Sequence, residues 1–227
     1  MTTFFVEDLR AGEVELGEEA AHHAHVRRVA VGEPVNLTDG RGHRGEGRIT
    51  LAARKTLRVH VDSIETTEPP PAIHLFVPVA DKERMLWVAE KATELQVASW
   101  NPVLFERSKS VTPRGEGEAF ERKVHARMLA ALEQSGGAWM PETRPVRSVS
   151  QIAAGKGLML ERGGDAIGRS RLAAPLSIAV GPEGGFTPAE VSMLREGGWA
   201  AASLGDVTLR FETAAIGAVA IARALLS

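Results

Sequence analysis

Two glycine loops near the carboxyl end constrain this chain more than any other feature. They are VGPEGGFTPAE, from Val180 to Glu190, and LGDVTLRFETAA, from Leu204 to Ala215. Each begins where an apolar run ends, LSIAV before Gly181 and WAAASL before Gly205. Short apolar runs closed by Gly predict buried strands that run into tight loops. Each loop then opens a helix. Thr187-Pro188-Ala189-Glu190 is a capping-box pattern with Pro at the first helical position, and Glu212-Thr213 leads into an Ala-rich run ending at Leu226. Two such units predict glycine loops at the carboxyl ends of neighbouring strands, the edge at which open α/β sheets bind ligands. GPEGG alone could be a plain turn. Polar Arg210, Glu212 and Thr213, just after an apolar strand, favour a small-molecule site.

With 227 residues, 44% hydrophobic and 25% charged, the chain is expected to fold as one large or two modest globular domains. No apolar run reaches the roughly 20 residues of a membrane span. The start, MTTFFVEDLR, lacks the basic and apolar regions of a secretory leader, so no membrane contact and a cytoplasmic location are expected. Cysteine is absent, which removes disulfides, thiolate metal sites and cysteine nucleophiles. His22, His23 and His25 cluster, but no further ligand stands at a spacing that completes a metal site, so no metal is expected.

A net charge of −2 argues against a uniformly basic nucleic-acid binder, yet the charge is patterned. Acidic residues dominate 1–21. Residues 22–58 carry Arg27, Arg28, Arg41, Arg44, Arg48, Arg54, Lys55 and Arg58 against Glu33, Asp39 and Glu46. A local basic surface can bind phosphates whatever the overall charge; a solvated surface of mixed charge is the alternative.

Residues 1–65 predict a β-rich unit. FFVEDL, PVNLTDG, GRITLAA and TLRVHVDSI are strand candidates, and Glu18 to Val31 is compatible with a helix. Short strands with Gly turns suggest a small barrel of the kind that binds RNA. Thr66-Thr67-Glu68-Pro69-Pro70-Pro71 reads as a linker, because consecutive prolines exclude helix. From Ala72 onward strands alternate with helices, which predicts a parallel sheet: IHLFVPVA, a helix over Lys82 to Val97, WNPVLF, a helix over Glu118 to Gln134, then GLMLE followed by a polar loop RGGDAIGRSR.

GPEGGF lacks the Lys-Ser/Thr of a phosphate-binding P-loop, no G-x-G-x-x-G follows the first parallel strand, and no Gly-x-Ser-x-Gly is present. The motifs instead resemble those of the bacterial 16S rRNA uridine-N3 methyltransferases of the SPOUT superfamily. The matching pieces are HHxxVxR at His22 to Arg28, KATEL at Lys91 to Leu95, EQSG at Glu133 to Gly136, GPEGGF with Glu190 downstream, and LGxxxLRxETA at Leu204 to Ala214. They follow the family's order over nearly the whole chain. The chain departs from the family pattern at Val207 and Gly137, where the family has Arg, at Gln96, where it has Gly, and at Asp81, where it has Lys.

The resemblance implies an α/β fold in which a PUA-like RNA-binding β-barrel over 1–68 precedes a SPOUT methyltransferase domain over 72–227 with a deep trefoil knot. It also implies S-adenosylmethionine as cofactor, a homodimer, and methylation of N3 of a uridine near the 3′ end of 16S rRNA in the small ribosomal subunit. Small Gly217, Ala218, Ala220, Ala222 and Ala224 on an apolar last helix predict a dimer contact; a helix buried in its own domain is the alternative.

Carried onto this chain, Gly181, Pro182, Glu183, Gly184 and Gly185 form the first cofactor loop. Leu204, Gly205, Leu209 and Arg210 form the second, continued by Thr213 and Ala214, with Leu160 and Glu161 completing the wall. Arg210 is the candidate to stabilise negative charge on the uracil. Glu212 orients Arg210 or caps the helix, and Glu183 is a candidate proton acceptor. Arg27, Arg28, Arg41 and Arg44 are candidates for rRNA phosphates. The lack of cysteine argues against methylation at C5 of a pyrimidine, which needs a cysteine adduct. A non-catalytic rRNA-binding assembly factor and a ribose 2′-O-methyltransferase of the same fold are the competing readings.

Overall fold

The structure, a computed structural model, describes residues 1–108, 114–169 and 172–226. The chain forms two compact units, one of Met1–Pro69 with Leu129–Met140, the other of Pro70–Met128 with Pro141–Ser227. The linker-based reading leaves 129–140 in the second unit; the contacts of that segment place it in the first.

The first unit contains β1 (Thr2–Phe5), β2 (Gly12–Leu16), α1 (Glu18–Val26), β3 (Pro34–Thr38), β4 (His43–Ala52) and β5 (Leu57–Thr66). Its five-stranded sheet has the order β1-β3-β4-β5-β2, antiparallel except for the parallel pair β1 and β3. Alternation in β5 works as the sequence predicts: Leu57, Val59 and Val61 are buried, and Arg58, His60 and Asp62 are exposed. They join Phe4, Val35, Leu37 and Ile49 in one core.

α1 stops at Val26, short of the expected Val31, because the chain turns there into a left-handed cap. Arg28 has φ 56°, Arg28 N–H donates to His25 O at 3.0 Å, and Val29 N–H donates to Ala24 O at 2.9 Å. This is the Schellman pattern with Arg in the position usually given to Gly, so the sequence carried no stop signal at that point.

The second unit contains β6 (Ile73–Pro78), α2 (Lys82–Glu94), β7 (Ser99–Leu104), α3 (Glu118–Ser135), β8 (Glu142–Thr143), β9 (Arg147–Ser148), α4 (Val149–Ala153), β10 (Gly157–Ala166), β11 (Leu176–Val180), α5 (Pro188–Gly197), β12 (Trp199–Ser203) and α6 (Phe211–Leu226). The last turns of α3, from Leu129, belong to the first unit. The sheet runs β12-β10-β11-β6-β7-β8, with β9 also on β7, and every pairing is parallel. Thus β11 and β12 are not neighbours: β10 lies between them. β10 also continues past Glu161 to Ala166, with a register shift between Leu160 and Asp165, where a loop was expected after Glu161. Ser170 and Arg171, the end of the expected polar loop, lie outside the described residues.

α2 repeats the cap of α1. Gln96 has φ 55°, and Val97 N–H reaches Ala92 O at 3.0 Å, so the helix ends at Glu94 rather than Val97. At its start Asp81 accepts the Glu83 and Arg84 amides as the N-cap. α6 buries Phe211, Ala215, Ala218, Val219 and Ala222 and packs on α2, β6 and β11. Its Ala220, Ile221, Ala224 and Leu225 remain exposed.

Candidate active site

At the carboxyl edge of β10, β11 and β12 lies a cleft of about 400 Å³. Its first wall is the loop after β11. Gly185 N–H donates to Pro182 O at 2.7 Å, and Gly185 has φ 70°, so the tight turn needs glycine there. A side chain on Gly184 would lie 2.9 Å from Arg107 Cδ. Its absence lets Arg107 run along the loop and donate to Gly184 O and, at 3.2 Å, to Phe186 O.

The loop leads into α5 through the expected capping box. Thr187 Oγ1 accepts the Glu190 amide at 3.3 Å, and Glu190 Oε2 accepts the Thr187 amide at 2.7 Å. The other Glu190 oxygen accepts the Glu106 amide at 2.8 Å, so one buried carboxylate ties the segment after β7 to the head of α5.

The second wall is the loop after β12. Ser203 Oγ donates to Gly205 O at 2.9 Å and accepts Gly205 N–H at 3.1 Å. Leu204, Gly205 and Leu209 face the cleft, as does Ala214 of α6. Leu160 and Glu161 close it from β10, whose neighbour Arg162 also lines it.

The structure therefore gathers Leu160, Glu161 and Gly181 to Gly185 with Leu204, Gly205, Leu209 and Ala214 around one cleft. Arg210, Glu212 and Thr213 are not among its lining residues. Arg210 O accepts the Ala214 amide at 2.9 Å, so Arg210 sits at the head of α6 with an exposed side chain. Thr213 is exposed on the first turn of that helix. Glu212 is largely covered, its Oε2 is buried without a hydrogen-bond partner, and Oε1 lies 3.9 Å from Arg84 Nε. Its charged neighbour is thus Arg84, where the sequence offered Arg210 or a helix-capping role.

Sequence reading missed Arg84, Arg107 and Arg162. Arg107 follows WNPVLF at the same sheet edge, which was the available signal. Arg84 carried none, because its place depends on how α2 packs. Val207 is 72% exposed at the cleft rim.

In the first unit, Arg27 is exposed and its Nε donates to His23 Nε2 at 3.0 Å. Arg28 is exposed in the left-handed cap, and Arg41 is exposed on the turn after β3. Arg44 differs: it is half-buried, and its Nη2 donates to Gly136 O at 2.6 Å. Gly137 closes against Leu132, whose Cδ1 would lie 2.9 Å from an added Cβ. Among the described residues no helix is long and apolar enough to cross a membrane, and no three His, Asp or Glu side chains gather as a metal site.

The sequence matches the RNA methyltransferase domain family over residues 67–223 and the RNA methyltransferase PUA domain over 16–62. It is 30% identical over 97% of its length to the ribosomal RNA small subunit methyltransferase E of Aquifex aeolicus, covering 98% of that protein. The chain belongs to the ribosomal RNA small subunit methyltransferase E family. A member from Mycobacterium bovis is 30% identical, with 90% of this chain and 84% of that one aligned. The crystal structure of the family member from Neisseria gonorrhoeae, bound to S-adenosyl methionine, superposes with a TM-score of 0.86 at 28% identity, over 99% of this chain and 98% of that one. The family thus shares the fold of both units, the PUA-like one and the parallel α/β one.

Proposed function

We propose that the protein transfers a methyl group from S-adenosylmethionine to N3 of one uridine near the 3′ end of 16S rRNA in the small ribosomal subunit. The observation that carries this reading is the cleft formed by two glycine loops on either side of β10, in a member of a family with a cofactor-bound relative. The residues fit the cofactor. Gly181, Gly185 and Gly205, having no side chain, let a ligand come close to the backbone, while Leu160, Leu204 and Leu209 offer apolar surface for a planar base. When bound, the cofactor supplies a methyl carbon on a sulfonium, and the C–S electron pair stays on sulfur as the new N–C bond forms.

The chain's own residues then have four tasks. Glu183, at the cleft, accepts the N3 proton. Arg210, swinging from the head of α6, stabilises the negative charge left on the uracil ring. Glu212 supports the first turn of α6, where an acidic side chain favours the helix dipole. Arg27, Arg28 and Arg41 hold rRNA phosphates, and Arg44 does so through whatever part of its guanidinium Gly136 leaves available. The deep trefoil knot of 72–227, the PUA-like boundary at residue 68, a cytoplasmic location and a homodimer belong to the same proposal. The exposed apolar stripe of Ala220, Ile221, Ala224 and Leu225 on α6 supports the dimer.

The test is mass-spectrometric mapping of 16S rRNA from a strain lacking this gene, with and without the gene restored. The expected result is loss and return of a single N3-methyluridine. A nucleoside that persists in the deletion strain refutes the reading. A ribose 2′-O-methyl group in its place supports the ribose enzyme, and no methyl change with a subunit-assembly defect supports a non-catalytic factor.

A further inference from the structure

Arg84 occupies a position that no loop motif announces. It stands in the first turn of α2, where Asp81 Oδ1 accepts its amide at 3.1 Å and that of Glu83 at 3.1 Å, so the cap fixes its backbone. Its guanidinium reaches two separate segments. Nη1 pairs with Oε1 of Glu183, on the loop after β11, and Nε lies 3.9 Å from Oε1 of Glu212, at the start of α6. Arg84 is 35% exposed and Glu212 only 14%. The second Glu212 oxygen is buried and accepts no hydrogen bond. A covered, under-bonded carboxylate is costly unless a cation stands by it.

We propose that Arg84 is a positioning residue of the methyl-transfer site, one cation that sets both the Glu183 carboxylate at the cleft and the Glu212 end of α6. This rests on the functional reading above, in which Glu183 takes the substrate proton. A guanidinium suits the role because its planar fork holds Nη1 and Nε in fixed directions toward the two carboxylates, whereas an ammonium is a point charge on a flexible stem. Its charge also stands directly against the carboxylate that the functional reading makes the proton acceptor. The other charged groups around Glu183 are Glu212 on α6, Arg107 alongside its loop, and Glu161 and Arg162 on β10. Among the described residues, Arg84 is the charged group that touches its carboxylate.

The test compares Arg84→Met and Arg84→Lys with the parent in two measurements. Single-turnover methyl transfer to small-subunit RNA, at saturating cofactor and RNA, is followed across pH. Arg84→Met should slow transfer at least about tenfold through misplacement of the acceptor, with RNA affinity unchanged. Its acidic limb should move to higher pH, since losing a cation raises a carboxylate's proton affinity. Arg84→Lys should restore much of the limb and only part of the rate. Hydrogen exchange is measured on the same proteins without cofactor or RNA. Arg84→Met should speed exchange of amides in Gly181–Gly185 and in the first turn of α6, leaving β10 as in the parent. A normal rate and limb for Arg84→Met overturns the proposal, as does a lowered melting temperature with normal rate per folded molecule. If the parent itself transfers no methyl, the functional reading falls. Hydrogen exchange then decides the positioning role: unchanged exchange in both segments overturns it, and selective loosening sustains it.

Discussion

The Glu133 carboxylate accepts the Phe5 amide at 2.9 Å, across 128 positions of sequence. Its other oxygen lies 3.3 Å from His23 Nδ1. One side chain from the end of α3 thus holds β1 and α1 of the first unit. Burial pushes its carboxyl above the ordinary value of 4.5, against the lowering pull of the Phe5 amide and His23. The segment after it continues the attachment: Thr38 Oγ1 donates to Gly137 O, Gly42 N–H to Ala138 O, and Trp139 Nε1 to Thr67 O.

Glu133→Ala leaves the Phe5 amide without its acceptor inside a packed unit. The expected loss is about 1–3 kcal/mol, the cost of an unsatisfied buried donor. Denaturant unfolding of the full chain, followed by tryptophan fluorescence, measures it. A change below a few tenths of a kcal/mol would show that water satisfies both groups.

Gln96→Gly should stabilise the protein. Gln96 holds φ 55°, a left-handed conformation that costs a non-glycine residue about 1–2 kcal/mol. Greater freedom of glycine in the unfolded chain returns part of that gain, so about 1 kcal/mol is expected. Arg223 donates to Gln96 O at 2.6 Å, a backbone contact that the substitution keeps. The midpoint of chemical unfolding is the readout, and a lowered midpoint would mean that the Gln96 side chain contributes contacts of its own.

Asp39 gives the first unit an acid-sensitive turn. Burial pushes its carboxyl up, but the Arg41 and His43 amides and the His43 ring together hold it below its ordinary 3.8. The folded value is the lower one. The stability it contributes is therefore complete above pH 3.8 and is lost as pH falls through the folded value. Asp39→Asn should lower stability at neutral pH and flatten the acid limb of the stability curve. Equal slopes for the two proteins below pH 4 would refute the assignment of that limb to Asp39.

Arg210→Ala tests the proposed chemistry. If its guanidinium stabilises the uracil anion, single-turnover methyl transfer should fall by about 10²–10³, by comparison with removing one oxyanion donor. Cofactor affinity by calorimetry should change little, because the lining residues are mainly glycines and apolar side chains rather than Arg210. Thermal stability should be nearly unchanged for so exposed a side chain. A near-normal rate would remove Arg210 from the mechanism.

Local chemistry made much of this protein readable in advance. The alternation of β5, the Pro run, the Thr187–Glu190 box and the Gly loops each act within a few residues, so sequence alone determined them. The helix ends at Val26 and Glu94 escaped because Arg28 and Gln96 fill left-handed caps that ordinarily advertise themselves with Gly. What only the tertiary structure decided are relations between distant segments. β10 stands between β11 and β12, residues 129–140 join the first unit, and Arg84 faces Glu183 and Glu212. Parallel strands leave their order to crossover helices, whose packing depends on the whole core. A side chain's partner across loops follows from that packing, not from its neighbours in the chain.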